Sequence, residues 1–260
     1  MRFASLGSGS AGNALLVQVH TTCILVDCGF GLRETLHRLQ RAGLSPQQLS
    51  AILITHEHGD HFGCTASLSR QFRLPVFMTG GTQRATQSAR ITRVEPIRSD
   101  QDFRIGDIQI TPFTVPHDAR EPVQFVFSDG RHRLGLLTDA GHVSAHMIGC
   151  LSGVDALLLE CNHDLEMLAN GPYPPALQER VRGPYGHLAN PLATQLLLDM
   201  DRSRLQYVIG MHLSTRNNQP HLALAALHAG LEDVTPAVSL ATQQDGFTWK
   251  TLSASLAEFR

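Results

Sequence analysis

One six-residue stretch constrains this chain more than any other: His56-Glu57-His58-Gly59-Asp60-His61, which follows directly on the apolar run 51–54. A short apolar run that ends in a turn reads as a buried strand. Loops at strand ends are where a rigid sheet can aim side chains at one point. On an extended loop, residues two apart point the same way, so His56 and His58 can grip one metal ion. Asp60 and His61 come on the next turn and can serve a second ion a few ångströms away. Imidazole and carboxylate ligands suit Zn²⁺, and also Mn²⁺ or Fe²⁺. A zincin helix is excluded, because His-Glu-x-x-His needs histidine where Asp60 stands. A merely polar surface loop is the competing reading, and it does not account for three histidines and an aspartate in six residues.

The same placement recurs downstream. His117 follows the run 108–115, Asp139 follows 134–137, and His212 follows 206–209. Each alone is weak, since a lone histidine is more often a hydrogen-bonded structural residue. Together they supply what two four- to six-coordinate ions require. Composition agrees: 14 of the 260 residues are histidine, roughly twice the usual share.

Apolar runs alternate with amphipathic segments, which predicts a layered α/β domain. Strands are expected at 1–6, 14–19, 23–27, 51–54, 75–77, 108–115, 123–127, 134–137, 156–159 and 206–209. Helices are expected at 32–42, where Gly43 is the stop, and at 65–72, 191–200 and 221–229. No repeat, low-complexity tract or linker divides the chain.

No apolar run approaches the ~18 residues of a membrane span, and Met1-Arg2-Phe3-Ala4-Ser5 begins no signal peptide. A cytoplasmic protein without membrane attachment is expected. Five cysteines without a Cys-x-x-Cys pair argue against a disulfide framework or a zinc knuckle. A formal charge of −2 excludes a bulk polycation. Arginines cluster locally at Arg84, Arg90, Arg93, Arg98 and Arg104, and again at Arg180 and Arg182. Such clusters suit planar recognition of phosphate, and equally a solvated surface.

The segment Thr55-His56-Glu57-His58-Gly59-Asp60-His61 resembles the signature of the metallo-β-lactamase superfamily, and the resemblance extends over nearly the whole chain. It implies a four-layer αββα sandwich with the metals at one edge, as a single domain over residues 1–260. Asp27, in Leu25-Val26-Asp27-Cys28-Gly29, matches an aspartate that orients the histidine loop without being a ligand. By this carry-over His56, His58 and His117 hold one metal, Asp60, His61 and His212 hold the other, and Asp139 bridges them. Two divalent ions are implied, Zn or Mn, with Fe possible. Di-zinc lactamases carry a cysteine near the position of Asp139, which argues against an antibiotic hydrolase. Di-iron redox members generally have glutamate in place of His58. The interval from Asp139 to His212 is too short for the β-CASP domain that large nucleic-acid-processing members insert.

Within the superfamily, four segments resemble the YycJ/WalJ group, described as single-domain nucleases with 5′-to-3′ exonuclease activity on DNA. They are 3–13, Glu160-Cys161-Asn162-His163-Asp164, Asn170-Gly171-Pro172-Tyr173-Pro174 and Gly186-His187-Leu188-Ala189-Asn190. The group usually has serine where Ala11, Cys161 and Ala189 stand, changes that spare the ligand set but could alter a phosphate contact. The implied activity is a dinuclear metal-dependent phosphodiesterase, a hydrolase of ester bonds, whose two metals activate a shared water. Asp60 and His187 are the catalytic candidates, with His187 at a helix N-terminus as general acid or transition-state donor. A capping or packing histidine is the competing reading. Asp27, Asn13, His163 and Asn190 are expected behind the ligands or against substrate. Asn13 ends the Gly/Ser run 7–13, which could present N–H groups to a phosphate or simply join two strands. The implied partner is nucleic acid, DNA before RNA, and the oligomeric state stays open. Two other readings remain. One is a small-molecule hydrolase on the same fold, such as a cyclic-phosphate diesterase, thioesterase or lactonase. The other is a non-catalytic metal- or nucleic-acid-binding protein.

Overall fold

The computed structural model describes residues 1–87 and 89–253. The chain first lays down β1 (Arg2–Gly7), β2 (Ala14–Val19), β3 (Thr22–Val26), β4 (Ala51–Leu53), β5 (Val76–Thr79) and β6 (Val94–Ile97). A second series follows: β7 (Phe103–Ile105), β8 (Ile108–Thr114), β9 (Val123–Ser128), β10 (Arg133–Leu137), β11 (Ala156–Glu160), β12 (Tyr207–Met211) and β13 (Ala237–Leu240). The last strand, β14 (Phe247–Thr251), returns to the first series. The result is two seven-stranded sheets, ordered β14-β1-β2-β3-β4-β5-β6 and β13-β12-β11-β10-β9-β8-β7. Each sheet is antiparallel in one half and parallel in the other.

Between these strands run α1 (Leu32–Arg41), the short α2 (Gly59–Phe62), α3 (Thr65–Phe72), α4 (Gly80–Ala85) and α5 (Ala145–Leu151). Then come α6 (Leu165–Asn170), α7 (Pro175–Arg182), α8 (Asn190–Asp199) and α9 (Pro220–Ala229). No helix among the described residues is long and apolar enough to cross a membrane.

Strand alternation sorts the apolar side chains into three layers. Leu15, Val17, Ile24, Val26 and Leu53 face inward and meet Phe125, Phe127, Leu134, Leu136 and Leu158 from the other sheet. Their neighbours Leu16, Leu25 and Ile52 point outward and pack with Leu39 of α1 and Leu68 of α3. On the far side Leu157 and Leu159 pack with Met147 of α5, Leu196 of α8 and Leu227 of α9. Helix, sheet, sheet, helix: this is the four-layer αββα sandwich that the resemblance implies.

Every strand read from the sequence is present, with ends shifted by at most two residues. The four strands not anticipated are β6, β7, β13 and β14, and these are the four outermost strands of the two sheets. Edge strands are wetted, so they lack a buried apolar run; β6 also carries Pro96, which an edge tolerates.

The parallel halves position the site. β3 and β4 run side by side, as do β10, β11 and β12, and β8 shares the direction of β10 because both are antiparallel to β9. Their C-terminal ends carry Asp27, His56, Asp139, Glu160, His212 and His117, so the fold gathers these side chains at one edge. Three of them leave the sheet in the left-handed conformation, with φ of 59° at Asp27, 55° at Asp139 and 54° at His212. Each such turn costs about 1–3 kcal/mol and concentrates at functional sites.

Candidate metal centre

The histidine loop is tied down from behind. Asp27 accepts hydrogen bonds from the Thr55 backbone N–H at 2.9 Å and the Thr55 hydroxyl at 2.9 Å, and its Oδ2 lies 2.7 Å from His61 Nδ1. Cys28 N–H donates to His61 O at 2.7 Å and Asn13 N–H to Asp60 O at 2.8 Å. A Cβ on Gly29 would overlap the Asp60 carbonyl, so only glycine lets the two loops approach this closely.

Most of the imidazoles are held by one nitrogen and turned inward with the other. His56 Nδ1 lies 2.9 Å from Thr55 Oγ1, and His117 Nδ1 donates to Gly186 O at 3.0 Å. His212 Nδ1 sits 3.3 Å from Asn162 Nδ2 and 3.5 Å from Glu160 Oε1. That leaves Nε2 of His56, His61, His117 and His212 as the presented atoms, whereas His58 turns Nδ1 toward His117 Nε2 at 3.2 Å. Ring nitrogens anchored in this way fix the tautomer and orientation of metal ligands. His61 Nε2 lies 3.1 Å from Asp139 Oδ2, and His212 Nε2 lies 3.5 Å from both Asp60 Oδ2 and Asp139 Oδ1. His56 Nε2 and His212 Nε2 are buried with no hydrogen-bond partner among the described residues.

The donor atoms therefore fall into two sets, His56 with His58 and His117, and Asp60 with His61 and His212, each lying within 4.8 Å of one another. Asp139 groups with His56 and His61 on one side and with His212 on the other. Mixed nitrogen and oxygen donors, burial and unpartnered imidazole nitrogens fit a pair of divalent cations.

The electrostatics agree with that fit. Burial, then the neighbouring His61, pushes the His56 pKa well below the ordinary imidazole value, and burial lowers His117 as well. Burial alone would also lower His61, but the Asp139 and Asp27 carboxylates override it and raise its pKa well above the ordinary value. For His212 burial is likewise outweighed, by Asp139 and by the nearby Asp60 and Glu160 carboxylates, and its pKa reaches about 9. Burial would raise the carboxyl of Asp139, yet the charges of His212 and His61 hold it well below the usual range. A field that retains protons between these groups is one that accepts a metal cation in their place.

Two carboxylates here escaped the sequence reading. Glu160 is fully buried at the end of β11, where Oε1 lies 2.9 Å from His187 Nδ1 and Oε2 accepts from Ala140 N at 3.0 Å and Leu188 N at 3.2 Å. It had the same signal as the others, an ionisable residue closing the apolar run 156–159. Asp118 follows His117, with Oδ1 3.5 Å from His117 Nε2 and 3.8 Å from His58 Nε2.

His187 faces the cluster, with Nδ1 also 3.3 Å from Asp139 Oδ1. Burial would lower its pKa, but the hydrogen bonds to Asp139 and Glu160 raise it to about 10. Its expected place at a helix N-terminus needs correction. The cap of α8 is Ala189, so His187 lies two residues earlier, in a loop set by Glu160 rather than by helix geometry.

Asn13 reaches the cluster, with Nδ2 3.1 Å from His61 Nε2 and 3.4 Å from Asp60 Oδ2. The run 7–13 thus joins β1 to β2 and delivers Asn13. His163 and Asn190 stand further back. His163 is buried, contacts Asn162 Oδ1 at 3.4 Å, and is pushed by burial to a pKa of about 4. Asn190 exchanges hydrogen bonds with Asn218 at 3.0 and 2.9 Å and makes no side-chain hydrogen bond to the cluster among the described residues. Asn218 also donates to Cys161 O, so the pair closes a seam between loops.

In front of the cluster lies a cavity of about 370 Å³, walled by Asp60, Asp139, His187 and His212 on one side and by Tyr173, Leu177 and Arg180 on the other.

The chain matches the Beta-lactamase superfamily domain over residues 22–212, a stretch that contains all seven candidate ligands. It is 34% identical over 241 residues to the exodeoxyribonuclease YycJ of Bacillus anthracis, covering 90% of each chain. It is 32% identical over 228 residues to the exodeoxyribonuclease WalJ of Streptococcus pneumoniae, covering 85% of each. The metallo-β-lactamase fold protein YhfI from Bacillus subtilis shares the fold, with a TM-score of 0.74 at 18% identity over 96% of this chain and 99% of its own. With the donor sets at the sheet edge and this similarity over nearly its full length, the chain belongs to the metallo-β-lactamase superfamily and, within it, to the family of YycJ and WalJ.

Proposed function

We propose that the chain is a dinuclear metal-dependent phosphodiesterase, a hydrolase of ester bonds that acts as a 5′-to-3′ DNA exonuclease, in a single domain without an inserted β-CASP domain. The observation that carries this reading is the convergence of seven donor residues, four of whose five imidazoles have their outer nitrogens already anchored. Similarity to two exodeoxyribonucleases over most of the chain supports DNA as the substrate.

In this reading His56, His58 and His117 hold one cation, Asp60, His61 and His212 the other, and Asp139 serves both. Zn and Mn suit the donors, as does Fe. When bound, such a pair lowers the pKa of a water and offsets the charge of the phosphodiester. The chain's own groups do the rest. Asp27 and Thr55 hold the histidine loop in place, and Asn13 steadies Asp60. Glu160 takes the Nδ1–H of His187, which leaves Nε2 as the atom to protonate the departing oxygen. The Glu160 carboxylate beside it favours the protonated imidazole.

The test combines elemental analysis of the purified protein with turnover of 5′-labelled linear DNA, a cyclic nucleotide and a thioester, each with Mn²⁺ and Zn²⁺. Two metal equivalents per chain and stepwise release from the 5′ end of DNA are expected. Hydrolysis of the cyclic nucleotide or thioester with DNA left intact would shift the reading to a small-molecule hydrolase. Full turnover by folded, metal-stripped protein would remove the two-metal centre.

A further inference from the structure

Arg180 of α7 has no part in the chemistry above, yet it lines the same cavity. Tyr173, Leu177 and Arg180 form its outer wall. That wall is fastened to the cluster by the loop that follows α7: His187 N–H donates to Val181 O at 2.9 Å, Asp118 N–H to Tyr185 O at 3.0 Å, and His117 Nδ1 to Gly186 O at 3.0 Å. Arg180 donates through Nε to Asp118 Oδ2 at 2.6 Å. Its two terminal nitrogens have no partner among the described residues, and the side chain is 60% exposed. Arg182, two residues on, is exposed with no ion-pair partner among the described residues.

We propose that Arg180 binds a backbone phosphate of a single DNA strand entering the cavity, and that Asp118 is the positioning residue that aims it. The proposal rests on the nuclease reading and names the part of that substrate which α7 touches. Asp118 occupies only the Nε edge of the guanidinium, so the terminal pair of nitrogens keeps the planar fork that matches phosphate oxygens. The ion pair is exposed and so contributes at most about 1 kcal/mol to stability. Its purpose is therefore better sought in orientation than in holding the fold together. A cavity of about 370 Å³ lies at the small end for ligand sites, which favours one strand over a duplex at the entrance.

Binding of a hydrolysis-resistant, phosphorothioate-linked single strand to the metal-loaded protein, followed between about 50 and 200 mM salt, reads out phosphate contacts directly. Each contact to a single strand adds about 0.7 to the slope of log affinity against log salt. Arg180→Gln should lower that slope by about 0.7, while Arg180→Lys keeps it with weaker binding. Asp118→Asn should weaken binding severalfold by itself and add nothing once Arg180→Gln is present. An unchanged slope in a folded Arg180→Gln variant that still binds the strand overturns the contact and spares the nuclease reading. Fully additive losses overturn the positioning role of Asp118. Absence of salt-dependent strand binding by the unsubstituted protein overturns the nuclease reading and this proposal with it.

Discussion

A proton on His187 has two carboxylates to hold it, Glu160 Oε1 at 2.9 Å and Asp139 Oδ1 at 3.3 Å from Nδ1. General acid assistance contributes typically about 10²–10⁴ in rate. His187→Ala is therefore expected to lose rate in that range while elemental analysis finds the metal content unchanged. Loss of one metal equivalent would instead make His187 a ligand, a role its grouping with Asp139, Glu160 and His212 also permits. Asp139 offers a cleaner contrast. Its φ of 55° suits asparagine at least as well as aspartate. Asp139→Asn thus removes the charge without straining the turn, and it should abolish phosphodiester hydrolysis while leaving the circular dichroism spectrum intact. Which ionisable residues matter was readable for those in a conspicuous pattern. Glu160 and Asp118 were missed because one carboxylate beside an apolar run looks like any other until its partners are in place.

At the scale of the element, the turn between β9 and β10 shows one carboxylate acting on a local fold. Asp129 Oδ1 accepts from Arg131 N at 2.9 Å and His132 N at 2.7 Å. Burial would raise its carboxyl, but the His132 and Arg131 N–H groups outweigh that and hold it below the ordinary range. A depressed folded pKa adds stability above the unfolded value of about 4, and this stability is lost as the pH falls below it. Asp129→Asn should therefore cost about 1 kcal/mol in urea unfolding at pH 7, with the gap to the parent narrowing as the pH falls below about 4 and closing only once it passes the depressed folded value. A gap independent of pH would assign the effect to geometry instead of charge. The same scale explains what the sequence revealed of the sheets. Central strands such as β2 and β11 are buried on both faces, and their apolar runs stand out. The outermost strands exist by pairing with a neighbour, which no local window contains. The short helices α4, α5, α6 and α7 span two turns or so, too few for a periodic signal.

For the whole molecule, the candidate ligands come from both sheets. His56, His58, Asp60 and His61 follow β4, while His117, Asp139 and His212 follow β8, β10 and β12 of the other sheet. The three apolar layers are complete without them, so the chain should stay folded when metal is removed. Cations bound at that edge would still tie one sheet to the other. At about 100 times its dissociation constant each of them stabilises the native state by about 2.7 kcal/mol. For a chain of this size that corresponds to a shift of about 5–10 °C. Chelation should lower Tm by that amount without changing secondary structure, and an unmoved Tm would argue against cations spanning the two sheets. The sequence by itself determined the kinds of donor and their station at strand ends, because apolar alternation and ligand chemistry are local properties. Only the tertiary structure decided which donors face one another, which ring nitrogen each presents, that Glu160 and Asp118 join them, and that His163 and Asn190 stand behind. Those are distances between loops remote in the chain, set by how two sheets pack and by left-handed turns at Asp27, Asp139 and His212.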